Sequence, residues 1–259
     1  VYVYDVHLPA FPYQPYGIRD GTTTTEAEAI AQAQTTRGIQ IANRLNHAAP
    51  ALATGLPTFF IGDFNEPSHL DWTQAAADAG LNFNMKVDWP TSNAMVNAGF
   101  VDAFRELRPD EVNDRGETWT PGYEGMPTNE VHDRIDFIYY TPGNARPVAA
   151  RTLGADATDG NTDIEVQPYP TDHRALVVEF DLIPGLPGDY NDDGTVDAAD
   201  YTVWRNHFGA PAGTIPNDID GGAIGMAQYA TWKANYGSIA GNSSFTLATV
   251  PESGTIVLL

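Results

Sequence analysis

Residues 59–67 read FFIGDFNEP, and the character of the chain changes abruptly inside that run. Phe59-Phe60-Ile61 has the length and apolarity of a buried strand, and Gly62 admits a sharp turn or a close approach. Asp63 and Asn65 then put two short polar side chains at the strand's end, where α/β folds commonly seat their chemistry. A plain Asx turn closing a strand uses the same residues. Further candidates are His7 in YDVHL (4–8), Asp136 in DRIDF (133–137), and Asp172 with His173 in TDHRALVVEF (171–180). Taken singly, each also has a structural role open to it, such as an ordinary turn or a pairing of Asp136 with Arg134. A second constellation is GDYNDDGTVDAAD (188–200). Counted from Asp189, oxygen-bearing residues stand at positions 1, 3, 5, 9 and 12: Asp189, Asn191, Asp193, Asp197 and Asp200. Gly194 occupies the turn and Thr195 offers a backbone carbonyl, which is EF-hand calcium spacing with Asp in place of the closing Glu.

The elements that must position these groups can be read from the pattern. A first strand and a Pro/Tyr-rich loop (9–17) precede a helical stretch over 24–46, with Gly38 interrupting its apolar face. Ser68, with Asp71 three places on, has the form of a capping box opening a short helix. FVDAFRELR (100–108) reads as another helix, and RIDFIYY (134–140), PVAARTL (147–153) and RALVVEF (174–180) read as strands. Mixed strands and helices give an α/β or α+β body over 1–182. IPGLPG at 183–188 is a linker. Beyond it, YTVWRNHFG (201–209) and YATWKANYG (229–237) repeat at an offset of 28, so 189–240 is a separate small module and 241–259 a tail.

Composition narrows the partners. The 259 residues carry 34 acidic and 13 basic side chains, a net charge of −21. That charge disfavours non-specific nucleic-acid binding, although salt screens the repulsion beyond about 8–10 Å. There is no cysteine, so neither disulfides nor thiolate metal sites are available.

YDVHL, IGDFN, DRIDF and TDHRALVVEF, in that order, resemble the endonuclease/exonuclease/phosphatase superfamily of metal-dependent phosphodiesterases and phosphatases. Arg37-x-x-Gln40, GFVDAFRELRP (99–109) and Thr118-Trp119 stand where relatives carry similar segments. The resemblance implies a four-layer sandwich of the DNase I-like type and hydrolysis of a phosphate ester. Such chemistry needs a water placed in line, a cation on the developing charge and a donor for phosphoryl oxygens. The resemblance gives Asp63 the water, Asn65 and His173 the phosphoryl oxygens, and Asp136 the far nitrogen of His173, with Asp133 a close competitor for that pairing. His7 becomes the phosphate-facing histidine of phosphatase- and sphingomyelinase-like members. Asp172 becomes an oxygen ligand for Mg²⁺ or Mn²⁺. His47, His69 and His132 match no motif and are expected in solvent.

The family's first-strand Asn and its principal metal-binding Glu would precede Val1. The N-terminal half of the sandwich is therefore expected to be missing, and this stretch alone to be inactive. The first module repeat resembles a type I dockerin, with Ca²⁺ in its loop. The second repeat keeps almost no ligands, which puts a cohesin-like partner in doubt. VPESGTIVLL (250–259) is similar to the start of a PEP-CTERM sorting signal, which would mean export to the bacterial envelope and membrane anchoring. Together these imply an exported, metal-dependent phosphoesterase. A secreted nuclease, and a calcium-dependent surface binding protein with a vestigial catalytic body, stand as alternatives.

Overall fold

A computed structural model describes residues 1–122, 125–154, 170–182, 185–239 and 256–258. In chain order, β1 (Tyr2–His7) is followed by α1 (Gln14–Arg19), α2 (Glu26–Ala33), α3 (Ile39–Leu52) and β2 (Thr58–Asp63). Next come α4 (Gln74–Asp78), α5 (Pro90–Asn97), β3 (Val101–Asp102), α6 (Ala103–Leu107) and β4 (Asp136–Tyr140). β5 (Ala145–Leu153), β6 (Ala175–Leu182), α7 (Ala198–Asn206), α8 (Met226–Asn235) and β7 (Ile256–Leu258) complete the order.

Two sheets result. The first has the order β1-β2-β4-β3, with β1 parallel to β2 and the other pairs antiparallel; the second is the antiparallel β5-β6-β7. Side chains alternate across a strand, so the central strands β2 and β4 each feed two cores. Phe60, Phe137 and Tyr139 join Val6, Ile41 and Met95 on the helical side. Phe59, Ile138 and Tyr140 join Leu176, Val178 and Phe180 on the side of the second sheet. Burial on both faces is why FFI is continuously apolar and not alternating. The described residues thus form a helical layer and two sheets, three of the four layers expected. β5 alternates buried and exposed positions, so the second sheet turns one face outward.

Several local expectations are corrected. The helix expected over 24–46 forms as α2, a π-turn (Gln34–Gly38) and α3, and it runs on to Leu52. A Cβ on Gly38 would lie 2.5 Å from the Gln34 amide, so the glycine makes room for that side chain. Ser68 opens no helix, because Asp71 is drawn into the interior by Arg105 and Arg134 at 2.7 and 2.8 Å. The helix there is α4, and its cap is Thr73. The 100–108 segment divides into β3 and α6, with Asp102 accepting from the Arg105 amide as the cap.

Residues 185–239 close on themselves through the repeat. The Trp204 indole donates to the Gly225 carbonyl at 2.8 Å, and the Trp232 indole to the Asp197 carbonyl at 2.7 Å. Gly209 N–H donates to Ile224 and Gly237 N–H to Val196, both at 2.8 Å. Each member of these pairs is the other's image in the sequence repeat, so each half caps its partner. Residues 183–184 of the linker, and 250–255 and 259 of the sorting-signal segment, lie outside the described residues. No helix among the described residues is long and apolar enough to cross a membrane.

Candidate active site

Strand register builds the site. β1 and β2 pair His7 with Asp63, and β2 and β4 pair Asp63 with Asp136, so the three stand in a row across the sheet. Asp63 and Asp136 share the face that carries Phe59 and Ile138, toward the second sheet. There the turn before β6 delivers His173. Its Nδ1 lies 2.8 Å from Asp136 Oδ2. Ligand atoms of Asp63, Asp136 and His173 lie within 4.8 Å of one another, and no other such group occurs among the described residues.

Thr118 aligns the two halves. Its Oγ1 accepts the N–H groups of Ile135 and Asp136, both at 3.1 Å, and its carbonyl accepts Arg174 N–H at 2.8 Å. Trp119 exchanges backbone hydrogen bonds with Asp133 and sets its ring centroid 5.1 Å from that of His173. The sequence marked Thr118-Trp119 by resemblance, but nothing in it exposed this stitching role.

Gly62 and Asn65 shape the end of β2. Gly62 has φ +124°, and a Cβ there would fall 2.2 Å from the Val6 carbonyl oxygen. Only glycine allows β1 to approach so closely. Asn65 has φ +50°, a region Asn tolerates better than most residues. Its backbone N–H donates to Asp63 Oδ1 at 2.7 Å, and its Nδ2 donates to Asp63 Oδ2 and the Leu8 carbonyl, each at 2.9 Å. Both amide hydrogens are therefore engaged. Asn65 thus holds Asp63 in place, with the amide that the resemblance assigns to phosphoryl oxygens.

Electrostatics follow from that crowding. Burial, then the adjacent Asp136 charge, push the Asp63 carboxyl up to about 6. For His173, burial opposes the charged ring, but the hydrogen bond and charge of Asp136, with Asp63 and Asp172, outweigh it and raise the imidazole above its ordinary value. His7 is mostly exposed, with Nε2 3.7 Å from Asp63 Oδ2.

Asp133 is elsewhere. It is buried and accepts from the Tyr13 hydroxyl at 2.6 Å and the Trp72 indole at 2.9 Å, and burial pushes it up to about 6. Asp172, the oxygen ligand expected from the sequence, is not part of the three-residue group. Its carbonyl accepts from Thr120 Oγ1 at 2.6 Å, and its exposed side chain borders a neighbouring cleft. His69 is not in solvent: its Nδ1 pairs with Ser92 Oγ at 2.8 Å, and burial lowers its pKa. His132 pairs with the Thr120 carbonyl at 3.1 Å.

In the 189–200 loop the acids are tied to backbone N–H groups. Asp189 accepts from Asp193 and Gly194, Asp193 from Thr195, and Asp200 from Asn191 and Asp197. Asp197 caps α7 through Ala199 N–H. These carboxylates are not gathered as closely as the three active-site groups.

The sequence profile of the Endonuclease/Exonuclease/phosphatase family matches residues 5–173. The chain belongs to the endonuclease/exonuclease/phosphatase family. The matched stretch runs from the first strand to the histidine of the dyad and so holds every residue of the site just described. An uncharacterised protein of Caenorhabditis elegans is 29% identical over 195 residues, 71% of this chain and 60% of its own length. An endonuclease/exonuclease/phosphatase structure from Beutenbergia cavernae aligns at 16% identity over 62% of this chain and 33% of its own, with a TM-score of 0.34. A functionally unknown conserved protein from Enterococcus faecalis aligns at 19% identity over 69% of this chain and 48% of its own, with a TM-score of 0.29. The chain thus spans 60% of the length of the curated relative it matches. Members of this family are typically hydrolases of the nuclease and phosphatase type that use a divalent metal.

Proposed function

We propose that residues 1–182 form the phosphate-binding and water-activating part of a metal-dependent phosphoester hydrolase. The observation that carries this reading is the register that sets Asp63 opposite Asp136, with His173 hydrogen-bonded behind them. His173, held charged by Asp136, presents Nε2–H to a phosphoryl oxygen. Asp63, an ionised carboxylate above about pH 6, accepts the proton of the attacking water while Asn65 fixes its plane. His7 stands beside Asp63 as a second donor toward the phosphate.

The donor set suits a hard divalent ion such as Mg²⁺ or Mn²⁺. Asp63 and Asp136 offer two oxygen ligands whose mutual repulsion a cation would relieve, while the charged His173, with no free nitrogen lone pair, serves the phosphate. Such an ion would supply Lewis-acid stabilisation of the charge that develops on the phosphoryl and leaving-group oxygens.

The same proposal extends to the module and the tail: one Ca²⁺ in the 189–200 loop of a dockerin-like unit, and export to the cell envelope. The test of the catalytic reading is hydrolysis of a bis-aryl phosphodiester, abolished by EDTA and restored by Mg²⁺ or Mn²⁺. Full activity after rigorous chelation would refute it, and a preference for DNA under the same conditions would favour the nuclease alternative.

A further inference from the structure

Next to the Asp63–Asp136–His173 site lies a cleft of about 310 Å³ that the chemistry above leaves unused. Its lining is largely aromatic, with Phe11, Tyr13, Tyr16 and Trp119, and Asn65, bonded to Asp63, and Asp172, next to His173, stand at the end nearest the site. The rings come from separate parts of the chain, and the Trp119 ring that faces the cleft also packs on His173.

The walls are built to stay in place. Arg37 is fully buried and donates to the carbonyls of Pro9, Ala10 and Pro12, each at 2.9 Å, and to Gln14 Oε1 at 2.5 Å. One guanidinium thus fixes the whole loop that carries Phe11. The Tyr13 hydroxyl is anchored on buried Asp133, and the Tyr13 and Tyr16 rings meet edge to face with centroids 5.1 Å apart. Phe11 itself is 72% exposed. A large apolar ring left in water on a loop braced this firmly offers a stacking surface.

We propose that this cleft binds a planar aromatic group attached to the phosphate, so that the substrate is a compact aryl or nucleoside phosphate ester. The proposal rests on the phosphoester reading of the adjacent site. Rings stack on rings regardless of hydrogen-bond pattern, and a cleft of this size holds one or two rings beside a phosphate. Among its described lining residues there is no Lys or Arg, and Asp172 adds a negative charge at the end nearest the site. Arg19 lies over the Tyr16 ring at 4.5 Å but is already paired with Asp20 at 2.7 Å and Glu130 at 3.6 Å, so further phosphates of a polymer would have to compete with those carboxylates, whereas a single phosphate ester needs no cation there.

Calorimetry on the full chain with phenylphosphonate, adenosine 5′-monophosphate, methylphosphonate and octylphosphonate separates the possibilities without turnover. Phenylphosphonate is expected to bind at least about tenfold more tightly than methylphosphonate, in line with one ring's stacking. Tighter binding of the nucleotide than of phenylphosphonate identifies a nucleobase as the natural ring, and the reverse identifies a simple aryl group. Phe11→Ala should collapse the ratio of phenyl- to methylphosphonate affinity to about twofold, and Phe11→Trp should keep it, because a larger ring still stacks. His173→Ala should weaken both phosphonates alike. Equal affinity for phenyl- and methylphosphonate, a preference for octylphosphonate, no binding of any of them, or an unchanged ratio in Phe11→Ala would overturn the proposal. An aryl preference whose affinities ignore His173→Ala would instead keep the aromatic cleft and remove the phosphate reading.

Discussion

His173 and Asp136 are 37 residues apart in sequence, and the imidazole Nδ1 lies 2.8 Å from the carboxylate. That bond makes the two residues one electrostatic unit, and Asp63 faces the same unit across the strand pair. Asp136→Asn should therefore act in two places at once. His173 loses the partner that raises it, so its pKa falls; Asp63 loses a like charge, so its pKa falls as well. NMR titration of the imidazole and carboxyl resonances reads both. A rise at either group contradicts the proposed wiring. In a protein that turns over phosphodiesters, the same substitution should lower kcat at least about 10²-fold.

The pH dependence of stability has a definite sign. Asp63 and Asp133 are raised to about 6 and Glu66 to about 7, chiefly by burial, and His173 is raised by Asp136. In each case the folded state holds its proton more tightly than the unfolded chain. Their stabilising contribution is complete below the ordinary pKa of each group and is lost as pH rises through the folded value. Without metal, urea midpoints should therefore fall between pH 5 and pH 8. Mg²⁺ should recover part of the loss at pH 8 by pairing with ionised Asp63. A midpoint that climbs over this range would show that these carboxyls are solvated.

Much of the frame was legible because it is set by local pattern. The apolar run before Asp63 and the strands at 134–140 and 174–180 follow from periodicity. The 28-residue repeat has a counterpart in the reciprocal indole bonds of Trp204 and Trp232, which join its two halves. Contacts between distant residues were not legible. Resemblance favoured Asp136 over Asp133 as the partner of His173, but no local pattern showed that Asp133 would go instead to Tyr13, 120 residues away. Asx chemistry also misled at Ser68, where Asp71 has the spacing of a cap but is claimed by two buried arginines. Asn65 has the type of a phosphate donor, yet its amide is consumed locally. Competing partners in three dimensions decided each of these.

Gly62 is a narrow point of the frame, where one backbone meets another. Alanine there would need φ near +124° and would push a methyl group into the Val6 carbonyl, in the middle of the β1–β2 pairing. The expected cost is about 3 kcal/mol or more, combining backbone strain with a broken strand contact. Residual activity should fall too, since His7 and Asp63 are in register through that contact. Thermal or urea unfolding measures the cost, and a change under 1 kcal/mol, on the order of a surface substitution, would mean that β1 is not held as described.

The module should bind one calcium ion, because its second loop already contains its own substitute for a cation. Offset by 28 from Asp200 stands Gln228, fully buried, with Oε1 accepting Gly225 N–H at 2.7 Å just as Asp200 accepts Asp197 N–H at 2.7 Å. Its amide nitrogen points the other way, donating to Asp218 Oδ1 at 3.1 Å and the Gly221 carbonyl at 3.2 Å. Counting at a fixed offset leaves Asp218 between ligand positions, but the fold shifts the register and turns this acid inward. The –NH₂ group thus satisfies the oxygens that a metal would otherwise collect. Asp218 Oδ2 remains buried without a hydrogen-bond partner. In the first loop the corresponding place is held by a carboxylate, and Asp189 is raised by burial and by the charges of Asp200 and Asp192. A cation entering there relieves that repulsion, with affinity expected in the weak extracellular range of about 10⁻⁵ to 10⁻³ M. Gln228→Glu removes the internal donor and adds a carboxylate beside Asp218 and Asp220, so calorimetry should move from one ion per chain to two. Asp193→Ala with Asp200→Ala should remove the first ion and leave the second loop of the Gln228→Glu variant able to bind. Two ions in the unmodified chain, or one surviving the double alanine change alone, would mean that Gln228 does not occupy the second site.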